Sequence, residues 1–199
     1  MSLPALLLGA AGFALYFVYD INSFTKRSPF FGLSFLLGTA LIVTATALEL
    51  YHALRSGAFA YWPDLVFALL GFLALGALIY CLFFALPFEK TYVSQEDGRK
   101  VCAVGVYAFC RHPGILCFFL LYLFIGLAAL PAPSLLLNGV IFSLLNGGYA
   151  WFQDRVTFPK TLHGYGEYRK EVPFLIPNKN SIRLAVKTWR RDQRKEEKK

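Results

Sequence analysis

The sequence predicts an all-α, polytopic membrane protein with about five transmembrane helices. Three observations carry that expectation: composition, the lengths of the apolar runs, and the placement of Lys and Arg. Of the 199 residues, 57% are apolar and 16% are charged, against roughly a quarter charged in an ordinary soluble domain. A soluble core of this size cannot hide so much apolar surface, so lipid must cover part of it. The net charge of +8 does not oppose this, because most of the charged residues follow Gln153.

A bilayer core of about 30 Å takes roughly 17 to 25 mostly apolar helical residues to cross. Five stretches qualify: Leu3–Tyr19, Phe30–Tyr51, Pro63–Leu86, Gly114–Leu130 and Ser134–Phe152. Their only formal charges are Glu49 and Asp64, each near a segment end. The first run lacks a basic segment ahead of it, so it reads as a retained span and not as a signal peptide. Pro29 and Pro63 mark span starts, and Pro87 follows a span end. Glu49 and His52 read as interfacial polar residues near the outer end of the second span. Gly71, Gly76, Gly139, Gly147 and Gly148 suit close helix packing.

Orientation follows from the basic residues, which cytoplasmic loops collect. With five spans and a cytoplasmic C-terminus, 19 of the 20 Lys and Arg fall inside and Arg55 alone falls outside. The expectation is therefore an external N-terminus. The segment 87–113 and everything after span five then share the cytoplasmic face. The chain divides in sequence into three helices (1–86), a core of loop, helical hairpin and C-terminal segment (87–177), and a basic tail (178–199). Cys81, Cys102, Cys110 and Cys117 form no C-x-x-C pair. Cys102, Cys110 and His112 match no common zinc spacing, so no metal is expected.

Two cytoplasmic segments hold the candidate chemistry. The first runs from Gly105 through Tyr107 to Arg111-His112-Pro113-Gly114 and leads into span four. Pro113 suits the first turn of a helix. The unpaired N–H groups beyond it favour a carboxylate or phosphate. Arg111 and His112 could grip an anion or a polar ring; equally, Arg111 could snorkel to anionic headgroups at a plain helix start. The second segment holds Gln153-Asp154-Arg155, then Tyr165 and Tyr168, then Val172-Pro173 and Ile176-Pro177. The short link between spans four and five makes them an antiparallel hairpin, which brings Asp154 toward Arg111 and His112. That acid could take an ammonium group beside a helix terminus that takes a carboxylate, or simply pair with Arg111.

Gly105-x-Tyr107, Arg111-His112-Pro113, an acid after the next helix, and Tyr165 with Tyr168 before Val172-Pro173 and Ile176-Pro177 resemble a known pattern. It is that of the isoprenylcysteine carboxyl methyltransferase and phospholipid methyltransferase superfamily, over roughly Tyr92 to Pro177. The resemblance implies a five-helix prokaryotic core in the cell membrane that binds S-adenosylmethionine at the cytoplasmic face. A lipid-like acceptor would enter from the bilayer. Carried onto this chain, it implies cofactor contacts from Gly105, Tyr107, His112, Pro113, Gly114, Ile115, Asp154, Tyr165 and Tyr168. Arg111 and Asp154 become the catalytic candidates: Arg111 to orient a carboxylate acceptor, Asp154 or a tyrosine to take a proton from an amine. Three positions depart from the pattern. Ile115 stands where many members have Tyr, Gln153-Asp154 where many have Glu, and His163-Gly164-Tyr165-Gly166 arranges its glycines differently.

Other classes stay open, one of them because membrane reductases of sterol-like double bonds share related C-terminal motifs. No strand followed by a glycine-rich turn and a helix occurs, so a Rossmann-type cofactor site is not expected. An NADPH-dependent membrane reductase of the sterol reductase group is the enzymatic alternative, and a non-enzymatic membrane protein the other. In the tail, Ile182, Ala185, Val186 and Trp189 recur at helical spacing among Arg183, Lys187, Arg190 and Arg191. That pattern is a basic amphipathic helix suited to an anionic membrane surface and not to nucleic acid.

Overall fold

The computed structural model describes residues 2–85, 99–130 and 132–196. Leu86, Pro87, Lys90, Tyr92, Pro131 and the last three residues lie outside the described residues. Among the described residues the structure is mainly helical, with one pair of two-residue parallel strands.

Helix α1 (Leu3–Thr25) has Pro4 in its first turn, where a missing N–H costs nothing. It ends at Lys26, whose left-handed backbone lets its N–H reach the Asn22 carbonyl. The Asn22 side chain then clamps Ser28 in both directions, donating to its carbonyl at 2.9 Å and accepting from its N–H at 3.1 Å. A 3₁₀ turn (Pro29–Leu33) leads into α2 (Ser34–Arg55). Helix α3 (Trp62–Ile79) continues through a π turn, Tyr80–Phe84. After β1 (Arg99–Lys100) come α4 (Val106–Phe109), α5 (Pro113–Ala128) and α6 (Ser134–Phe152). Helix α6 runs on through a second π turn, Gln153–Thr157, into α7 (Phe158–Thr161). Strand β2 (Leu162–His163), α8 (Tyr165–Glu171) and α9 (Lys179–Glu196) complete the chain.

Among the described residues, four runs are long and apolar enough to cross a membrane: Leu3–Thr25, Pro29–Arg55, Trp62–Phe84 and Ser134–Thr161. Their outward residues are large and apolar. In the third run only 17% of positions are buried, and Phe72 is 71% exposed. Water is a poor solvent for such a surface and hydrocarbon a good one, as in an integral membrane protein. The expected fourth span, α5, is apolar but has 16 residues. At 1.5 Å per residue it measures about 24 Å, short of a full hydrocarbon core of about 30 Å.

The chain packs as two compact units, residues 1–76 with 117–157 and residues 77–116 with 158–199. In the first unit, α1 and α2 meet backbone to backbone. A Cβ added at Gly12 would lie 2.7 Å from the Gly38 carbonyl oxygen, and one at Gly38 would lie 2.6 Å from that of Gly12. Phe13, Ile42, Tyr122 and Phe142 form the core around this crossing. Helices α5 and α6 are antiparallel, with Tyr122 against Gly139 and Gly126 against Leu136, as the short link requires. Glu49, expected at the interface, is instead 1% exposed. Its carboxylate accepts from Ser134 Oγ at 2.7 Å and from the Asn138 amide. The same Asn138 nitrogen also donates to the Ser2 carbonyl at 3.1 Å. These bonds join α2, α6 and the start of α1, so the acid is a structural tie.

The second unit is built on Tyr165, Tyr168 and Val172, with Val101, Ala103, Phe158, Leu162 and Leu184 packed around them. Strand β1 pairs with β2 in parallel.

Candidate functional site

Within the second unit the segment Gly105–Gly114 is knitted to the C-terminal segment that carries the tyrosines. Gly105 opens the arrangement with φ 57° and ψ −127°, a backbone conformation that side-chain-bearing residues avoid. Its N–H donates to Thr188 Oγ1 of α9 at 3.2 Å. The backbone then runs beside residues 173 and 174. Arg111 N–H donates to the Pro173 carbonyl at 2.9 Å and His112 N–H to that of Phe174 at 3.2 Å.

Arg111 and His112 serve different ends. The Arg111 guanidinium donates from Nη1 to the Arg169 carbonyl at 2.9 Å and the Val172 carbonyl at 2.6 Å. These carbonyls close the C-terminus of α8, where helical carbonyls lack intrahelical donors and the helix dipole is negative. The guanidinium carbon also lies 5.8 Å from the Phe174 ring centre, within cation–π range. Arg111 is therefore a helix cap, and the snorkelling arrangement is not the one observed. His112 is buried, its ring stacked on Phe158 (5.8 Å between centres, 12° between planes) and edge-on to Phe174 at 4.8 Å.

The tyrosines fasten the same segment. Tyr168 Oη donates to the Tyr107 carbonyl at 2.6 Å, and Tyr107 Oη to the Cys81 carbonyl at 2.9 Å. Tyr165 packs its ring against Phe158 and Tyr168. Burial, reinforced by Tyr165 and Cys110 nearby, pushes the Tyr168 phenol above its ordinary value. The protonated phenol is the form that donates to the Tyr107 carbonyl. Gly164, also at positive φ (81°), supplies the left-handed turn that starts α8. Pro113 begins α5 as expected, with Gly114 and Ile115 in its first turn.

Asp154 lies in the first unit, 2% exposed in the π turn that extends α6. A carboxylate so deeply placed is costly unless bonded or charge-compensated. The structure adds a second acid there that the sequence reading passed over. Helix α1 outlasts the apolar run ending at Tyr19, which carries Asp20 into the protein at 3% exposure. Asp20 faces the side chains of Tyr149, Gln153 and Thr157, and Gln153 Nε2 donates to Tyr149 Oη at 2.9 Å. The available signal was the absence of any helix breaker between Tyr19 and Ser28-Pro29. Among the described residues, no three His, Cys, Asp or Glu side chains are grouped closely enough to hold a metal ion.

Comparison with family models, with curated proteins and with solved structures found no match to this chain.

Proposed function

We propose that this chain is an S-adenosylmethionine-dependent methyltransferase of the membrane, acting on a lipid or lipidated acceptor. The observation that carries the reading is the direct pairing of two motif-bearing segments. Arg111-His112 is laid against Pro173-Phe174 and caps the helix holding Tyr165 and Tyr168.

The residues present fit the cofactor by chemistry. The start of α5 at Gly114 suits a carboxylate, since Pro113 has no N–H and that of Ile115 donates to the His112 carbonyl at 3.1 Å. The rings around His112 suit an adenine face. The resemblance, and not the packing of the second unit, assigns the ammonium group to Asp154. S-adenosylmethionine, when bound, supplies a methyl group activated by its sulfonium. The protein's task is then to orient the acceptor and exclude water. Arg111 does this indirectly, as a positioning residue that fixes α8 against the His112 segment. A carboxylate acceptor needs no base; an amine must lose a proton, which Asp154 would accept.

Membranes holding the protein, incubated with radiolabelled S-adenosylmethionine, are expected to place label in the organic-solvent phase. Base-labile label released as methanol identifies a methyl ester, and base-stable label an N-methylated headgroup. Label confined to water-soluble products would remove the lipid acceptor, and turnover of NADPH in its place would support the reductase reading.

A second prediction concerns the cofactor residues. His112→Ala and Asp154→Ala are each expected to weaken S-adenosylmethionine binding at least tenfold in calorimetry, about 1.4 kcal/mol. His112→Phe, which keeps a ring between Phe158 and Phe174, separates lost packing from lost ligand contact. Wild-type affinity in the folded Ala variants would take both residues out of the site.

A further inference from the structure

Helix α9 divides around its circumference into three sectors. Ser181, Leu184, Ala185 and Thr188 turn inward, buried or half-buried, with Leu184 on the tyrosine core and Thr188 on Gly105. Beside this sector, Ile182, Val186 and Trp189 are 43%, 46% and 60% exposed. At 100° per residue they fall within an arc of about 60°. Next to them, Lys179, Arg183 and Lys187, all exposed, fill a further arc of about 80°. Ala185, grouped with the apolar stripe by its spacing, belongs to the inward sector. Ile176, just ahead of the helix, is 82% exposed.

We propose that α9 is an interfacial anchor whose Ile182–Val186–Trp189 stripe inserts into the headgroup and upper acyl region of an anionic bilayer. Three features select a bilayer as the occupant. The stripe is narrow and ends in Trp, the side chain best suited to the boundary between water and hydrocarbon. Lys179, Arg183 and Lys187 lie along one flank, so they can reach lipid phosphates while the inward sector stays on the protein. Seventeen residues separate Thr161, the end of the last apolar run, from Lys179. Even fully extended they reach at most about 60 Å, so a bilayer crossed by that run is always at hand. The Thr188–Gly105 bond makes the consequence local, since the helix that lies on lipid also holds the start of the Arg111-His112 segment.

The test uses Trp189 as reporter in the full-length Trp62→Phe/Trp151→Phe variant, both replaced residues being exposed. The protein is reconstituted into vesicles of phosphatidylcholine and phosphatidylglycerol with bromine-labelled acyl chains. Trp189 emission is expected to shift to the blue, to be quenched most by bromines near the carbonyl end, and to resist iodide. Replacing Arg183 and Lys187 with Gln should lower the inserted-to-free ratio roughly fivefold for each charge removed. The same loss is expected in vesicles of phosphatidylcholine alone. Helical content checks folding in every variant. Iodide-accessible Trp189 without bromine quenching would overturn the proposal, as would insertion indifferent to lipid charge. Protection seen only in native membranes and not in vesicles would assign the face to a protein partner and overturn it too.

Discussion

Arg111→Ala is expected to destabilise the second unit strongly before any question of catalysis arises. One guanidinium nitrogen holds two carbonyls at the end of α8, at 2.9 and 2.6 Å. Hydrogen bonds from a charged donor are worth about 1.5 to 3 kcal/mol each. Removing both leaves the carbonyls facing an alanine, at an expected cost of about 3 to 6 kcal/mol, against a total stability of roughly 5 to 15 kcal/mol for a typical domain. The backbone bonds from residues 111 and 112 to 173 and 174 would loosen with it. Arg111→Lys keeps the charge and a donor able to reach one or both carbonyls, so it should recover part of the loss. The measurement is the thermal midpoint of the solubilised protein without ligand. If Ala leaves the midpoint unchanged and removes only methyl transfer, then the guanidinium serves the acceptor and not α8.

Legibility in the sequence followed the range of the forces involved. Apolar run length is a local property, and it located five apolar helices, including α5, whose start at Pro113 came from the proline itself. Helix ends were harder. Nothing in an apolar run says that a helix will outlast it, so the run ending at Tyr19 does not mark the end of α1, which carries Asp20 with it. Glu49 looked interfacial for the same reason, since position along a span does not reveal that Ser134 and Asn138 wait across the bundle. In the second unit Arg111, His112, Tyr165 and Tyr168 were visible, because they lie in polar, aromatic-rich segments that resemble a known pattern. Their partners were not. That Arg111 would bind backbone carbonyls depends on where α8 ends, a tertiary fact with no signature in the residue itself.

The glycines test this distinction in a single measurement. Gly12→Ala and Gly38→Ala are expected to be strongly destabilising, and Gly12→Leu to prevent α1 from docking on α2. A Cβ at either position would meet the partner's carbonyl oxygen at 2.6 to 2.7 Å. That atom belongs to a helix backbone and cannot swing aside. The helices must separate, which opens the core at Phe13 and Ile42 and stretches the 2.9 Å bond from Tyr16 to Thr39. Overpacking of this kind costs about 1 to 3 kcal/mol for one added carbon and more for a Leu. Gly147 and Gly148, which composition also marks for close packing, have open space where a Cβ would stand. There Gly→Ala should be neutral or stabilising, by up to about 1 kcal/mol of helix propensity. Thermal midpoints of the four Ala variants should therefore split in sign. Equal tolerance at all four positions would mean that α1 and α2 do not cross at Gly12 and Gly38.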